Sequence, residues 1–206
     1  MQNKKQILLH DTFYHIYNRA NGNENIFITE GNYAFFLKQF KQYIHPIAYL
    51  YCYCLLPNHF HFLIQIKSEN ELNNFFNKEK GNLTFLKFQN LEKLTSKQFS
   101  NFFSSYTQAL NKEQGRKGSL FMKNFKRKKI ENKQYLYKLV HYIHYNPIEA
   151  GLCQHLSEWR YSSYNAICFD ANTLIKKEQV IEWFEDLENF KFIHTLKPKE
   201  LEIVFD

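Results

Sequence analysis

Between Thr12 and Arg19 (TFYHIYNR), bulky and polar side chains alternate with the two-residue period of a strand, and Gly22 to Asn25 interrupt the run. From Glu30 to His45 the period lengthens: Phe35, Phe36, Phe40 and Ile44 recur at helical spacing, and Pro46 closes the segment. Ile47 to Leu55 and His59 to Lys67 are β-rich runs joined by Leu56-Pro57-Asn58, the pattern of a hairpin. Helical spacing returns over Glu69 to Asn77 and over Ser96 to Glu113, where Phe99, Phe102, Phe103, Tyr106 and Leu110 form one stripe that reads as core. It returns again over Asn132 to Tyr145, with Leu136, Leu139, Val140 and Ile143 as the buried stripe and Pro147 as the expected stop. One further amphipathic helix is expected around Val180 to Leu187.

The β-α-β-β order predicts an antiparallel α/β sandwich. A hydrophobic share of 44% over 206 residues supports one sizeable core. We expect a main domain over 1–168 and a C-terminal helical appendage over 169–206. The 21 Phe and 14 Tyr serve equally as core filling and as flat faces for unpaired bases. Cys52, Cys54, Cys153 and Cys168 lack zinc-type pairing, so free thiols are expected. The opening Met1 to Lys5 lacks a signal-peptide apolar run, which together with the absence of a membrane-spanning pattern predicts a cytoplasmic protein without a membrane partner.

The formal charge of +7 is concentrated. Arg116 to Lys133 holds eight basic residues against the single acid Glu131, a surplus that equals the charge of the whole chain. Arg116, Lys117, Lys123, Lys126, Arg127, Lys128 and Lys129 are therefore candidate phosphate contacts on a loop or ribbon, with Asn18 and Arg19 at the end of the first strand as weaker ones.

In His59-Phe60-His61-Phe62-Leu63-Ile64-Gln65-Ile66 the strand period sends both histidines to one face and Phe60, Phe62, Ile64 and Ile66 to the other. The apolar face is the one helices should cover. The imidazoles are then roughly 6–7 Å apart along the backbone, close enough to converge on a divalent ion. Two ligands do not complete a site. Tyr142 and Asn146, four residues apart, share a helix face with Tyr135 and turn away from the apolar stripe of their helix, which makes them candidate partners. Tyr106 lies within its helix's apolar stripe and ranks second to Tyr142 as a candidate nucleophile.

The ordered motifs His15-Ile16-Tyr17-Asn18-Arg19, Leu56-Pro57-Asn58-His59-Phe60-His61, Gly118-Ser119-Leu120-Phe121, Phe125-Lys126-Arg127 and Tyr142-Ile143-His144-Tyr145-Asn146-Pro147 resemble the REP-associated tyrosine transposases of the HUH superfamily. The likeness runs through Gly151 and Trp159-Arg160-Tyr161-Ser162-Ser163. The chain departs from the family's usual residues at Leu56, where Met is common, and at Phe121-Met122, where Trp-Gln is common. The resemblance implies an α+β fold: a ferredoxin-like or RRM-like antiparallel sheet with helices packed on one face. It also implies Mg²⁺ or Mn²⁺ held by His59, His61 and Asn146, Tyr142 as nucleophile, and cleavage and strand transfer on single-stranded DNA beside hairpins through a 5′-phosphotyrosine. The protein would act as a monomer or homodimer. Two other readings stand beside it: a non-catalytic single-stranded nucleic-acid-binding protein with an RRM-like sheet, and a metal-dependent nuclease with no covalent intermediate.

Overall fold

The computed structural model describes residues 7–79, 91–169 and 173–205; the opening Met1 to Lys5 lies outside them. Strand β1 (Phe13–Arg19) leads into helix α1 (Glu30–Tyr43), the hairpin β2 (Ala48–Leu56) and β3 (His59–Ile66), helices α2 (Glu69–Glu79) and α3 (Leu91–Glu113), strand β4 (Lys126–Lys129) and helix α4 (Lys133–Glu149). The strands form one antiparallel sheet in the order β2-β3-β1-β4. This is the β-α-β-β-α-β arrangement of a ferredoxin-like fold, with α2 added ahead of the second covering helix.

The hydrophobic alternation explains the first layer. Phe60 and Phe62 of β3 meet Phe36 of α1 at 5.2 and 6.0 Å between ring centroids, and Phe102 of α3 meets Phe36 at 4.7 Å. Tyr106 belongs to this layer: its ring lies 4.8 Å from Phe36 and its hydroxyl donates to the Ile26 carbonyl at 2.7 Å. An aromatic cluster of this kind contributes through area removed from water and through tilted ring pairs.

Four features differ from the sequence-based expectations. First, part of the basic segment is a strand. Lys126 to Lys129 pair with Tyr17 to Tyr14, so the charges alternate across the sheet instead of forming one loop surface. Lys126 and Lys128 share a face with Tyr17 and His15, whereas Arg127 and Lys129 share the other with Ile16 and Tyr14.

Second, helices cover both faces. Residues α1 and α3 take the phenylalanine face, while α4 crosses β2 and β3 on the histidine face. The expectation of helices on one face fails because the Leu136, Leu139, Val140 and Ile143 stripe of α4 needs an apolar surface, and Cys52, Cys54, Leu56 and Leu63, which lie in register on that face, supply one.

Third, Pro147 does not stop α4. The helix continues to Glu149 and ends where Gly151, at φ 68°, adopts the left-handed conformation; its N–H donates to Ile148 O and that of Leu152 to Pro147 O, both at 2.9 Å. This is a Schellman end, and it places Pro147 in the last turn.

Fourth, the tail forms three short helices after α5 (Tyr164–Cys168): α6 (Lys177–Trp183), α7 (Leu187–Thr195) and α8 (Pro198–Phe205). The single helix expected over Val180 to Leu187 fails because Phe184 caps α6 and Asp186 caps α7. Helices α7 and α8 pack on α4, where Phe190, Ile193 and His194 are buried. All four cysteines are free thiols. Among the described residues no helix is long and apolar enough to cross a membrane.

Candidate active site

The site grows from the register of β1 and β3. Tyr17 pairs with His61 and Arg19 with His59, so four polar or aromatic side chains share one sheet face. His15, one strand period earlier on β1, joins them. Its Nε2 lies 2.8 Å from His61 Nδ1, and both rings are only 6% exposed. The His59 and His61 rings are 5.2 Å apart and nearly perpendicular.

The second nitrogens of the pair define what the site can accept. His59 Nδ1 is 2.6 Å from Asn58 Oδ1. His61 Nε2 is buried and has no hydrogen-bond partner. An imidazole nitrogen left bare in the interior is costly unless something occupies its lone pair, and a divalent cation is one occupant that does so. Burial lowers the pKa of His59, and lowers that of His61 well below the ordinary range, with the neighbouring rings adding to the effect, so both stay neutral and able to ligate.

Helix α4 brings the remaining groups. The ring of Tyr142 stands edge-on to His61 at 5.5 Å and to His15 at 6.2 Å, and it keeps 40% of its surface exposed. Asn146, one turn later, donates from Nδ2 to the Tyr142 carbonyl at 2.7 Å. Asn146 also favours the protonated form of His59, against the effect of burial. Burial raises the Tyr142 pKa above 10, and Asn146 opposes that rise. Among the described residues no cluster of three or more His, Cys, Asp or Glu is disposed to hold a metal ion.

Tyr106 lies on the opposite face of the sheet. Its hydroxyl is spent on Ile26, and burial raises its pKa far above the ordinary value. The structure therefore removes it as an alternative nucleophile for this site.

The candidate phosphate contacts separate into distinct environments. Lys126 is exposed on the histidine face, and Lys128 lies on that face with its Nζ 4.1 Å from the Tyr135 ring of α4. Arg19 is exposed beside them. Arg127 faces the other way, over Phe125 at 4.2 Å and against Ser96 Oγ at 3.3 Å. Lys129 lies 3.7 Å from Glu131. Arg116 pairs with Glu24 and donates to Asn111 Oδ1, which ties down the turn after α3 and makes a fold contact rather than a free cation. Lys117 and Lys123 are exposed in the connection to β4. Asn18 is buried, donating to Met122 O and accepting from Arg19 N–H, so it holds backbone in place.

One concavity is lined by the histidines, and a second lies next to it. A pocket of about 270 Å³ is bordered by Tyr17, Arg19, His59, His61, Met122 and Lys126, with Asn18 and Asn58 at its rim. A groove of about 880 Å³ shares Asn18 and Met122 with it and runs along α3 past Ser96, Ser100, Ser104 and Asn111.

His15 and Tyr17 are the site residues that sequence reasoning left without a role. The signal was present: strand alternation puts them on one face with Arg19, but only the β1–β3 register shows which strand that face belongs beside.

No protein-family model and no curated protein matches the chain. Its fold is similar to the solved structure of a REP-associated tyrosine transposase bound to a REP hairpin, over 84% of this chain and 90% of that one, with a TM-score of 0.59 at 13% identity; the likeness is one of fold.

Proposed function

We propose that the protein is a metal-dependent enzyme that cleaves single-stranded DNA near hairpins and transfers the strand through a covalent 5′-phosphotyrosine on Tyr142. The observation that carries this reading is the meeting of His59, His61, Tyr142 and Asn146, from two elements far apart in sequence, around one unpartnered imidazole nitrogen. The neighbour's bound hairpin supports the choice of DNA.

His59, His61 and the Asn146 amide oxygen would hold Mg²⁺ or Mn²⁺, which when bound neutralises phosphate charge and orients the phosphorus. In the tautomer of His61 that carries its proton on Nδ1, His15 Nε2 would accept that proton and leave the Nε2 lone pair of His61 directed into the site. The Tyr142 oxygen attacks the scissile phosphorus; a Tyr O–P bond forms as the bond to the 3′ oxygen breaks. The phenol proton is lost, and the departing 3′ oxygen takes one up. The reverse step, with another strand's 3′ hydroxyl, restores Tyr142 and reseals DNA without a nucleotide cofactor. Asn146 would aid the first step by favouring the ionised phenol, since it opposes the rise that burial imposes on the Tyr142 pKa. Lys126, Lys128 and Arg19 position the strand through its phosphates.

A non-catalytic RRM-like reading is disfavoured by α4, which lies over β2 and β3 where such a sheet would stack bases. The test is incubation with hairpin-bearing single-stranded DNA and Mn²⁺ followed by a denaturing gel. An EDTA-sensitive protein–DNA adduct that disappears in Tyr142→Phe is expected. Cut DNA with no adduct would replace the proposal with a nuclease lacking a covalent intermediate.

A further inference from the structure

The pocket that His59 and His61 line on one side carries further groups on its other sides. One wall is the half-buried ring of Tyr17, which stacks on His15 at 4.6 Å and still borders the open space. Another is Met122, a large apolar side chain that is 45% exposed. Arg19 and Lys126 supply cations, and among the described residues no acidic one lines the pocket. Its rim is held, because Asn18 donates to the Met122 carbonyl at 3.2 Å and the Met122 N–H donates to Arg19 O at 2.9 Å. A flat aromatic face, a polarizable thioether and two cations match a planar base attached to a phosphate. The volume of about 270 Å³ falls just below the about 300–1,000 Å³ that suits a drug-sized ligand, so one nucleotide fits and a run of stacked bases does not.

We propose that this pocket takes a single nucleotide of the bound strand, unstacked from its neighbours, with its base against Tyr17 and Met122 and its phosphate towards Arg19 and Lys126. It is the nucleotide next to the phosphate that Tyr142 attacks, a placement that rests on the strand-transfer reading above. The pocket therefore discriminates single strands from duplex at the point of chemistry. A paired, stacked base cannot enter without being flipped. The strand beyond it passes Met122 and Asn18 into the larger groove along α3, which shares those two residues.

The chain contains two methionines, Met1 and Met122, so a protein labelled with ¹³C at the methionine methyl has one reporter in the pocket and one control. With the full chain in Mg²⁺, a mixed-sequence single-stranded trideoxynucleotide should move the Met122 methyl upfield through the ring current of the base. Inorganic phosphate and a blunt self-complementary duplex should leave it in place. Tyr17→Leu should weaken the trinucleotide on the order of tenfold, while Tyr17→Phe, which keeps the flat ring, should bind as the wild type does. The proposal is overturned if saturating trinucleotide leaves Met122 unmoved, if phosphate alone produces the same shift, or if Tyr17→Leu binds normally. Its failure is separable from that of the strand-transfer reading: a Met122 shift without any covalent adduct keeps the pocket and removes the chemistry, and adducts without the shift do the reverse.

Discussion

His15 Nε2 lies 2.8 Å from His61 Nδ1 across neighbouring strands, and this contact decides which nitrogen of His61 faces the site. With Nδ1 carrying the proton, His61 presents a bare Nε2, the atom that has no partner in the fold. His15→Ala should reduce affinity for Mn²⁺ by about 10–100-fold, the usual cost of removing such an outer partner. His15→Gln, whose side-chain oxygen accepts the same proton, should recover part of the loss. Electron paramagnetic resonance of free Mn²⁺ measures both, and an unchanged affinity in His15→Ala would remove the role.

The two tyrosines on opposite faces of the sheet should respond differently to the same substitution. Tyr142→Phe should abolish covalent adducts while leaving hairpin binding nearly intact. Tyr106→Phe should leave adduct formation alone and cost about 1–3 kcal/mol of stability, because the buried Ile26 carbonyl loses its donor. Adduct gels and urea denaturation of both variants separate these outcomes, and adducts that vanish only in Tyr106→Phe would reverse the assignment.

Phosphate contacts can be counted from salt dependence. Lys126→Gln should lower the slope of log affinity against log salt for single-stranded DNA by about 0.7, one contact's share. Arg116→Gln should leave the slope unchanged, because the guanidinium is engaged by Glu24 and Asn111, and should instead loosen the turn after α3. Equal effects of the two substitutions would contradict the division of the basic segment.

Behind α4, burial holds His141 at a pKa of about 4 and His144 at about 3, below the unfolded value of about 6.5. As the pH falls the unfolded chain takes up these protons first. The stability tied to the neutral rings is therefore complete above about pH 6.5 and is lost as the pH drops towards the folded values. Each group contributes a slope of at most about 1.4 kcal/mol per pH unit in that window. Urea titrations from about pH 7 to about pH 5 should show the decline. His141→Gln, which preserves a donor to the Leu196 carbonyl, should flatten it. A slope equal to that of the wild type would assign the acid sensitivity to other groups.

Much of the fold follows from local pattern. The Phe60/Phe62 alternation, the hairpin at Pro57-Asn58 and the stripe of α3 each follow from side-chain periodicity and turn chemistry. Strand β4 escaped because Lys-Arg-Lys-Lys has no apolar alternation; it is an edge strand defined by pairing with β1, and edge strands rich in lysine are a common defence against aggregation. The end of α4 lies beyond Pro147 because the turn at Gly151, whose bonds go to the Ile148 and Pro147 carbonyls, is what terminates the helix. Within the site, His59, His61, Tyr142 and Asn146 were each visible as residues on a face. That His15 sits against His61, and that Tyr17 borders a pocket, depends on strand order, which no single segment encodes.

The Schellman end at Gly151 and the buried His144 on the far side of α4, bonded to Ser163 at 2.7 Å and His194 at 3.0 Å, bear on how a strand exchange would have to run. On the strand-transfer reading, these contacts would hold the tyrosine's helix at its terminus and along its back. The protein would then act as an anvil, with breakage and rejoining at one fixed point in space. The changeover between old and new partners falls to the nucleic acid, whose free 3′ end must leave and whose replacement must arrive while the phosphorus stays where Tyr142 holds it.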